Sequence, residues 1–172
     1  MTLRARPRQR ATVTPDRGMT MIEILVVVGI VGILALMAVP ALQERIVRDQ
    51  VVSAVPLADI AKTPIAAAWA ATQTFPADNA AAGLPVPDKI VNNYVSSVVI
   101  ANGAIHMTFG NSASGALKGK ILTIRPAVVE DAPIVPVAWI CGNAGWPDKM
   151  TVKGENQTNL LAVYLPVNCR AP

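Results

Sequence analysis

The fold is decided by residues 17–40, which read RGMTMIEILVVVGIVGILALMAVP. Residues 24–39 carry no charge, and Glu23 is the one ionisable group between residues 19 and 39. At about 1.5 Å per residue, an α-helix over residues 19–39 is about 31 Å long. This length matches the hydrocarbon core of a bilayer, which is about 30 Å thick, so the stretch predicts a transmembrane helix.

Charge flanks this helix on its N-terminal side. The segment before it holds one acid, Asp16, and five arginines, namely Arg4, Arg6, Arg8, Arg10 and Arg17. The whole chain has a net charge of +4, so residues 19–172 are balanced. The positive-inside rule therefore predicts that residues 1–18 face the cytoplasm and that the body lies across the membrane. A balanced body does not favour direct binding of nucleic acid, which needs a basic face.

The composition of the 172 residues excludes several classes of protein. Hydrophobic residues make up 52% and charged residues 15%, which is too apolar for a broadly disordered chain. One histidine and two cysteines exclude a His-rich or Cys-rich metal site. We therefore expect no metal and no cofactor.

Two ordinary interpretations of the apolar stretch stay open on the residues alone. A cleaved secretory signal needs small residues at its end, and Ala38 meets this need although Leu36 fits poorly two positions earlier. A simple membrane anchor is the second interpretation, but an anchor has no use for Glu23. A carboxylate in a bilayer costs about 2–3 kcal/mol unless it lies at the interface or has a partner. Glu23 is therefore a candidate functional residue.

Residues 17–35 resemble the class III signal of type IV pilins and related filament proteins. In that family a basic leader ends in Gly, and a dedicated peptidase cuts after this Gly on the cytoplasmic side. The new N-terminal residue is N-methylated, and a Glu stands at its fifth position. The resemblance implies a cut after Gly18, methylation of Met19 and the fifth-position role for Glu23. Two departures are that Met19 stands where Phe is usual, and that the leader is longer than is usual for the type IVa class.

The resemblance implies an α+β fold of the type IV pilin kind. In this fold a long N-terminal helix, half transmembrane and half amphipathic, packs on a four-stranded antiparallel sheet, and a disulfide bounds a C-terminal loop. The chain would then contain a cleaved leader (1–18), a transmembrane and polymerisation segment (19–40) and a periplasmic or extracellular head domain (41–172).

The resemblance continues beyond the membrane segment. Residues 75–85 look like the loop after the long helix of type IVa major pilins, and residues 94–98 resemble their first strand. Residues 139–142 and 165–170 fit the family pattern in which a disulfide closes a loop before the chain end. The resemblance thus implies a Cys141–Cys169 bond, worth about 3–4 kcal/mol in the loop-entropy description. Two buried free thiols are the alternative.

The motif also suggests how subunits associate. In a bundle of parallel helices, Glu23 of one subunit would reach the Met19 amine of a neighbour and fix the axial stagger. Gly29 and Gly32 begin a run of small residues at every third position to residue 38. Small residues let helix backbones approach closely, and ordinary membrane-helix composition is the alternative explanation.

Beyond Pro40 the chain is predicted to continue as an amphipathic helix to about Thr72. Pro40 matches the family pattern, and the resemblance implies local melting of the helix there in the filament. Pro56 and Pro64 conflict with an unbroken helix, because each removes a hydrogen bond and clashes with the preceding turn. We expect a kink or a break near one of them. The predicted apolar face, at steps of three or four residues, consists of Val47, Val51, Val55, Ala58, Ala61, Ile65 and Ala68.

Four strands are predicted after the helix. Residues 94–100 and 105–109 flank Asn102-Gly103, a strong hairpin signal. Residues 120–125 and 137–140 supply the next two strands, and the short connections favour antiparallel order.

Other candidate sites carry little chemistry. His106 lies on an alternating strand without a second histidine nearby and is interpreted as structural or solvated. The serines have no base at a recognisable spacing, so a hydrolase is not supported. Asn156 begins a glycosylation sequon, a short pattern that is common by chance.

The residues and the resemblance together predict a structural protein without enzymatic activity, a subunit of a type IV pilus of the major, type IVa kind. The implied partners are other copies of the subunit, the prepilin peptidase and N-methyltransferase, and the inner membrane with the pilus assembly machinery. The implied location is the inner membrane and then an extracellular fibre for adhesion, twitching motility, biofilm formation or DNA uptake. The alternatives are a minor pilin, a type II secretion pseudopilin, or a membrane-anchored periplasmic binding domain or enzyme.

Overall fold

The structure, a computed structural model, describes residues 18–172. The predicted leader, residues 1–18, lies outside the described residues except for Gly18. Helix α1 covers Met21–Ala54, a 3₁₀ turn covers Val55–Ala58, and helix α2 covers Asp59–Thr72. The chain separates into two compact units between residues 39 and 40, and residues 40–172 hold the whole sheet.

The predicted interruption of the helix lies at Pro56. This proline occupies one of the first positions of the 3₁₀ turn, where its missing N–H needs no helical partner. Pro64 lies inside α2 and leaves the assignment of that helix unbroken. Of the two prolines, Pro56 is therefore the one at which the α-helical pattern changes.

One face of the helices is buried in the core of residues 40–172. Its buried members are Val47, Val51, Ala54, Ala58, Ala61, Ile65 and Trp69. Two residues of the predicted face, Val55 and Ala68, are half-buried at its margin, and Val55 packs against the core. The buried face also includes Ala54 and Trp69, which the prediction left out. A period of 3.6 residues allows steps of three or four, and packing decides between them. Trp69 stacks on Phe75 with ring centroids 4.8 Å apart.

Four strands form an antiparallel sheet in chain order, and they confirm the predicted four with bounds shifted by a few residues at most. They are β1 Val95–Ala101, β2 Ala104–Phe109, β3 Ile121–Val128 and β4 Ala138–Cys141. The β1–β2 hairpin turns at Asn102 and Gly103, whose φ angles of 49° and 82° suit a type I′ turn. A fifth strand, β5 (Thr151–Val152), pairs with the end of β3 and had no sequence signal.

The hydrophobic core lies between the helices and one face of the sheet. In register across the strands, Ile105 lies beside Ile124 and Met107 beside Leu122, and all four are buried. Neighbouring residues along a strand point to opposite faces. His106 therefore lies on the outer face of the sheet, where it pairs with Thr123.

The outer edge of β1 is covered by the side chain of Asn79. Its amide donates hydrogen bonds to the carbonyls of Val98 at 3.0 Å and Pro85 at 3.1 Å, and its oxygen accepts the N–H of Ile100 at 2.8 Å. Asn79 thus takes a position that a further strand would otherwise occupy. It also ties the loop after α2 to the sheet.

Candidate functional site

The first part of α1 exposes apolar side chains on every side. All side chains of residues 18–38 are exposed; Ile22, for example, is 72% exposed and Leu25 67%. Within the described residues, one helical stretch, Met21–Thr72, is long and apolar enough to cross a membrane. An apolar helix without a polar face needs lipid or other helices around it.

A capping box opens this helix. Glu23 N–H donates to Thr20 Oγ1 at 3.3 Å, and Thr20 N–H donates to the Glu23 carboxylate at 3.4 Å. Such a reciprocal pair satisfies two N–H groups that have no partner within the helix. The spacing Thr20-x-x-Glu23 is a readable sequence signal for it, which the sequence interpretation missed.

The two residues predicted at the cleavage and methylation site lie at this helix end, close to Glu23, which was predicted to act in assembly. Gly18 and Met19 precede the helix and are exposed. The Glu23 carboxylate contacts the backbone nitrogen of Thr20, one residue from Met19. In this arrangement, the carboxylate lies close to the place where a cut after Gly18 would create a free amine.

The small residues farther along α1 have open space around them. A Cβ added at Gly29 or Gly32 would meet no other atom within 4 Å. Within the part of the chain that the structure describes, no neighbouring atom requires glycine at either position. The bounds of α1 also include Pro40, so the melting that the resemblance implies for the filament stays a prediction.

The disulfide between Cys141 and Cys169 is present, with Cα atoms 4.6 Å apart. This confirms the predicted bond and overturns the alternative of free thiols. The bond joins the end of β4 to the 3₁₀ turn Val167–Cys169 and bounds residues 142–168. Trp146 is partly exposed on this segment and Leu161 and Val167 largely so.

Two arginines fasten the disulfide-bounded segment to the rest of the molecule. The Arg48 guanidinium on α1 donates from Nε and Nη2 to the carbonyl of Val163, at 3.1 and 2.7 Å. Arg170 donates to the carbonyl of Leu165 at 2.9 Å. The Arg48 contact joins residues 115 positions apart, so no spacing pattern predicts it, whereas the Arg170 contact is local.

The remaining candidate residues form no catalytic arrangement. Among residues 18–172, no group of three His, Cys, Asp or Glu side chains lies close enough to hold a metal ion. His106 is buried, and its Nδ1 lies 3.0 Å from Thr123 Oγ1, which agrees with a structural role. The Asn156 side chain is tied to Asn143 at 2.8 Å.

Two protein families match the chain. A family described as pilin, a bacterial filament protein, matches residues 47–170, and the prokaryotic N-terminal methylation motif matches residues 14–39. The first match covers most of the chain and includes the helix face, the sheet and the disulfide. The second includes Gly18, Met19 and Glu23.

Individual relatives match along nearly their whole length. The chain is 35% identical over 166 residues to a fimbrial protein of Neisseria meningitidis serogroup A, a match that covers 91% of this chain and 95% of the relative. It is 32% identical over 163 residues to the type IV major pilin protein PilE of Neisseria gonorrhoeae, with the same two coverages. Fimbrial protein EcpC of Eikenella corrodens is 32% identical over 158 residues, or 90% of this chain and 91% of the relative.

Proposed function

This chain belongs to the type IV pilin family of structural filament proteins, and we propose that it is the major subunit of a type IV pilus. It is made as a precursor, cut after Gly18, N-methylated at Met19, held in the inner membrane and then polymerised into a surface fibre. The observation that carries this proposal is the first part of α1, residues 21–38, which exposes apolar side chains on every side and has Glu23 near its start.

Processing is supported by the exposure of the cut site. Gly18 and Met19 are exposed and lie outside the helix, and a peptidase needs an extended, accessible backbone. The proposed enzyme partner is the prepilin peptidase and N-methyltransferase, which cuts after Gly18 and catalyses methylation of the new Met19 amine. The cut separates the basic segment, with its Arg17, from the apolar helix.

Glu23 sets the register of subunits. In the isolated subunit its carboxylate caps its own helix through the Thr20 N–H. Within an apolar bundle an unpaired carboxylate costs about 3–5 kcal/mol, and the Met19 amine of a neighbouring subunit removes that cost. Because this pairing occurs at one axial offset, it selects the stagger between subunits.

Gly29, Gly32 and Pro40 are proposed to serve helix packing in the fibre. The open space at both glycines supports this role, since a neighbouring helix can approach the bare backbone there. Pro40 cannot donate an N–H to the helix, and we propose that the segment before it melts as subunits leave the bilayer.

The proposed location is first the inner membrane, together with the assembly machinery, and then the extracellular fibre. Adhesion, twitching motility and DNA uptake are the proposed uses of the fibre. For DNA uptake, direct contact of this subunit with DNA is not supported, because residues 19–172 carry no net charge.

Mass spectrometry of the N-terminal peptide tests the proposal. Protein from cells that contain the peptidase should begin at Met19 and carry one added methyl group. A retained Arg17, or a new terminus after Ala38, would contradict it. A retained Arg17 would indicate an unprocessed membrane anchor, and a terminus after Ala38 would indicate an ordinary secretory signal.

A minor pilin or a type II secretion pseudopilin is the second candidate within the superfamily. The disulfide-bounded end, with Cys141 and Cys169, counts against a pseudopilin. The similarity to a relative named as a major pilin favours the major class. A major subunit should dominate the protein of filaments sheared from cells, whereas a minor one should be a trace component.

A further inference from the structure

A strap, which we define as residues 154–158, lies across the outer face of the sheet. At Gly154 the strap approaches the sheet so closely that a Cβ there would lie 2.6 Å from the Ala104 Cβ. Two hydrogen bonds join it to Thr123: the Thr123 N–H donates to Thr158 Oγ1 at 3.0 Å, and the Gln157 N–H donates to Thr123 Oγ1 at 3.1 Å. The strap is part of the disulfide-bounded segment, so its closure shapes that surface.

His106 lies beside these bonds. Its side chain is 4% exposed, and its Nδ1 is 3.0 Å from Thr123 Oγ1. Its Nε2 is buried and meets no hydrogen-bond partner among the described residues. One hydroxyl group is therefore shared between the imidazole and the backbone of the strap.

The shared hydroxyl suits a neutral imidazole. With Nδ1 unprotonated, Thr123 Oγ1 accepts the Gln157 N–H and donates its own proton to Nδ1. An imidazolium carries an N–H at both ring nitrogens, so the Thr123 hydroxyl proton would lose its acceptor at Nδ1 and the hydroxyl would have to turn beside the Gln157 N–H. The charge would also be buried away from water, which is costly.

The charged groups around the ring do not remove this cost. Glu155 lies in the strap, Lys153 immediately precedes it, and Arg125 lies on β3. On the β1 side, His106 pairs with Val99, which does not titrate. Burial lowers the pKa of His106 below its ordinary value, and Glu155 offsets part of that shift.

We propose that His106 is a pH-sensitive latch, which holds the strap on the sheet while the ring is neutral and releases it when the ring gains a proton. The disulfide keeps the ends of the segment in place, so release changes the surface without detaching the segment. The open form binds a proton more readily than the closed form. Closure is thus most stable above a pH of about 6.5, weakens as the pH falls and levels off below the pKa of the closed form.

The test combines two measurements on the untagged full-length protein in detergent micelles. Because the chain has one histidine, its imidazole NMR signal reports the pKa of His106 without ambiguity. Amide hydrogen exchange at Gln157 and Thr123, corrected for the intrinsic effect of pH, reports opening of the strap. Protection should fall on acidification about tenfold for each unit by which the measured pKa lies below 6.5. A pKa at or above 6.5, or protection that does not change with pH, would overturn the latch.

Two variants sharpen this test. His106→Asn keeps a polar group near Thr123 but cannot titrate, so the protection of Gln157 should no longer depend on pH. Glu155→Gln removes the offsetting charge, so the loss of protection should become larger and move to lower pH. Unchanged pH dependence in His106→Asn would overturn the proposal. If that variant does not fold, agreement between the wild-type pKa and the wild-type loss of protection decides the question.

Discussion

Residues 21–38 and residues 47–69 are both largely helical and rich in apolar side chains, yet their surroundings differ. The first segment exposes all of its side chains, whereas the second buries one face against the sheet. The first segment carries apolar side chains on every side of its helix, whereas the second carries them as a stripe along one face. A stripe finds its partner within the same chain, and an all-round apolar surface requires other molecules. The apolar pattern alone thus separates residues 47–69, which pack within their own chain, from residues 21–38, which need other molecules around them.

Blocking the cut should have the largest effect, because it keeps the exposed helix from ever entering a fibre. In Gly18→Leu we expect full-length precursor in the membrane and no filaments, measured by intact mass and by shearing. Gly29→Leu is the matched control, since it should be cut normally while assembling poorly. Normal mature mass for Gly18→Leu would contradict the proposed site.

Removing the carboxylate should leave processing intact but abolish most of the filament yield. Glu23→Ala takes away the partner proposed for the Met19 amine of a neighbour. Thr20→Val removes the side-chain half of the capping box and keeps the carboxylate. If both variants lose filaments equally, helix capping explains the defect and the register role fails.

Reduction of the disulfide should lower the stability of residues 40–172 alone. The two cysteines are 28 residues apart, and the loop-entropy description gives about 3–4 kcal/mol for such a loop. The free energy of unfolding of the protein in detergent should fall by this amount when a reductant is present, while the helix content of residues 21–38 stays constant. An unshifted denaturant midpoint would contradict a stabilising bond.

A pair of leucine substitutions tests the contrast between the two segments directly. Leu122 is fully buried and Leu25 is 67% exposed. Leu122→Ala should lower the free energy of unfolding by about 3 kcal/mol through lost burial and a cavity. Leu25→Ala should leave the unfolding of residues 40–172 unchanged, and it should act only on filament yield. Equal losses of stability would mean that the first segment packs within its own chain.

The smallest expected effect concerns the two hydrogen bonds from Arg48 to the disulfide-bounded segment. Arg48→Met removes both hydrogen bonds to the Val163 carbonyl. The free energy of unfolding should fall by about 1.5–3 kcal/mol for the pair, because hydrogen bonds from a charged donor contribute on this order. Arg45 is exposed, so Arg45→Met should stay within about 0.5 kcal/mol of the wild type. Denaturant unfolding, monitored by tryptophan fluorescence, compares the two variants. Equal stability of Arg48→Met and Arg45→Met would argue against a stabilising role for the Arg48 hydrogen bonds.

The sequence predicted the parts of the fold that depend on local pattern. The helix end near Thr72, an interruption at one of the two prolines and the four strands follow from periodicity, proline chemistry and an Asn-Gly turn, whereas the choice of Pro56 over Pro64 came from the structure. Strand β5 escaped prediction because two residues carry no period, and their pairing depends on β3 extending beyond its pairing with β2. The choice of Trp69 for the core depended on Phe75, which a helical period does not include.

The candidate site divides in the same way. Gly18, Met19 and Glu23 lie within six consecutive positions, so their motif is readable in the sequence. The environment of His106 is created by residues about fifty positions later, and the contacts of Arg48 by residues still farther along the chain. Such contacts exist only once the chain has folded, and therefore no spacing rule finds them.

The cover on the edge of β1 has a consequence for how copies of this protein meet. A fibre places many identical sheets at a very high local concentration, and an open edge strand is a template for cross-β aggregation. Asn79 already uses the N–H of Ile100 and the carbonyl of Val98, so an invading strand would first have to break both bonds. This cover therefore protects crowded subunits against pairing edge to edge at this part of β1.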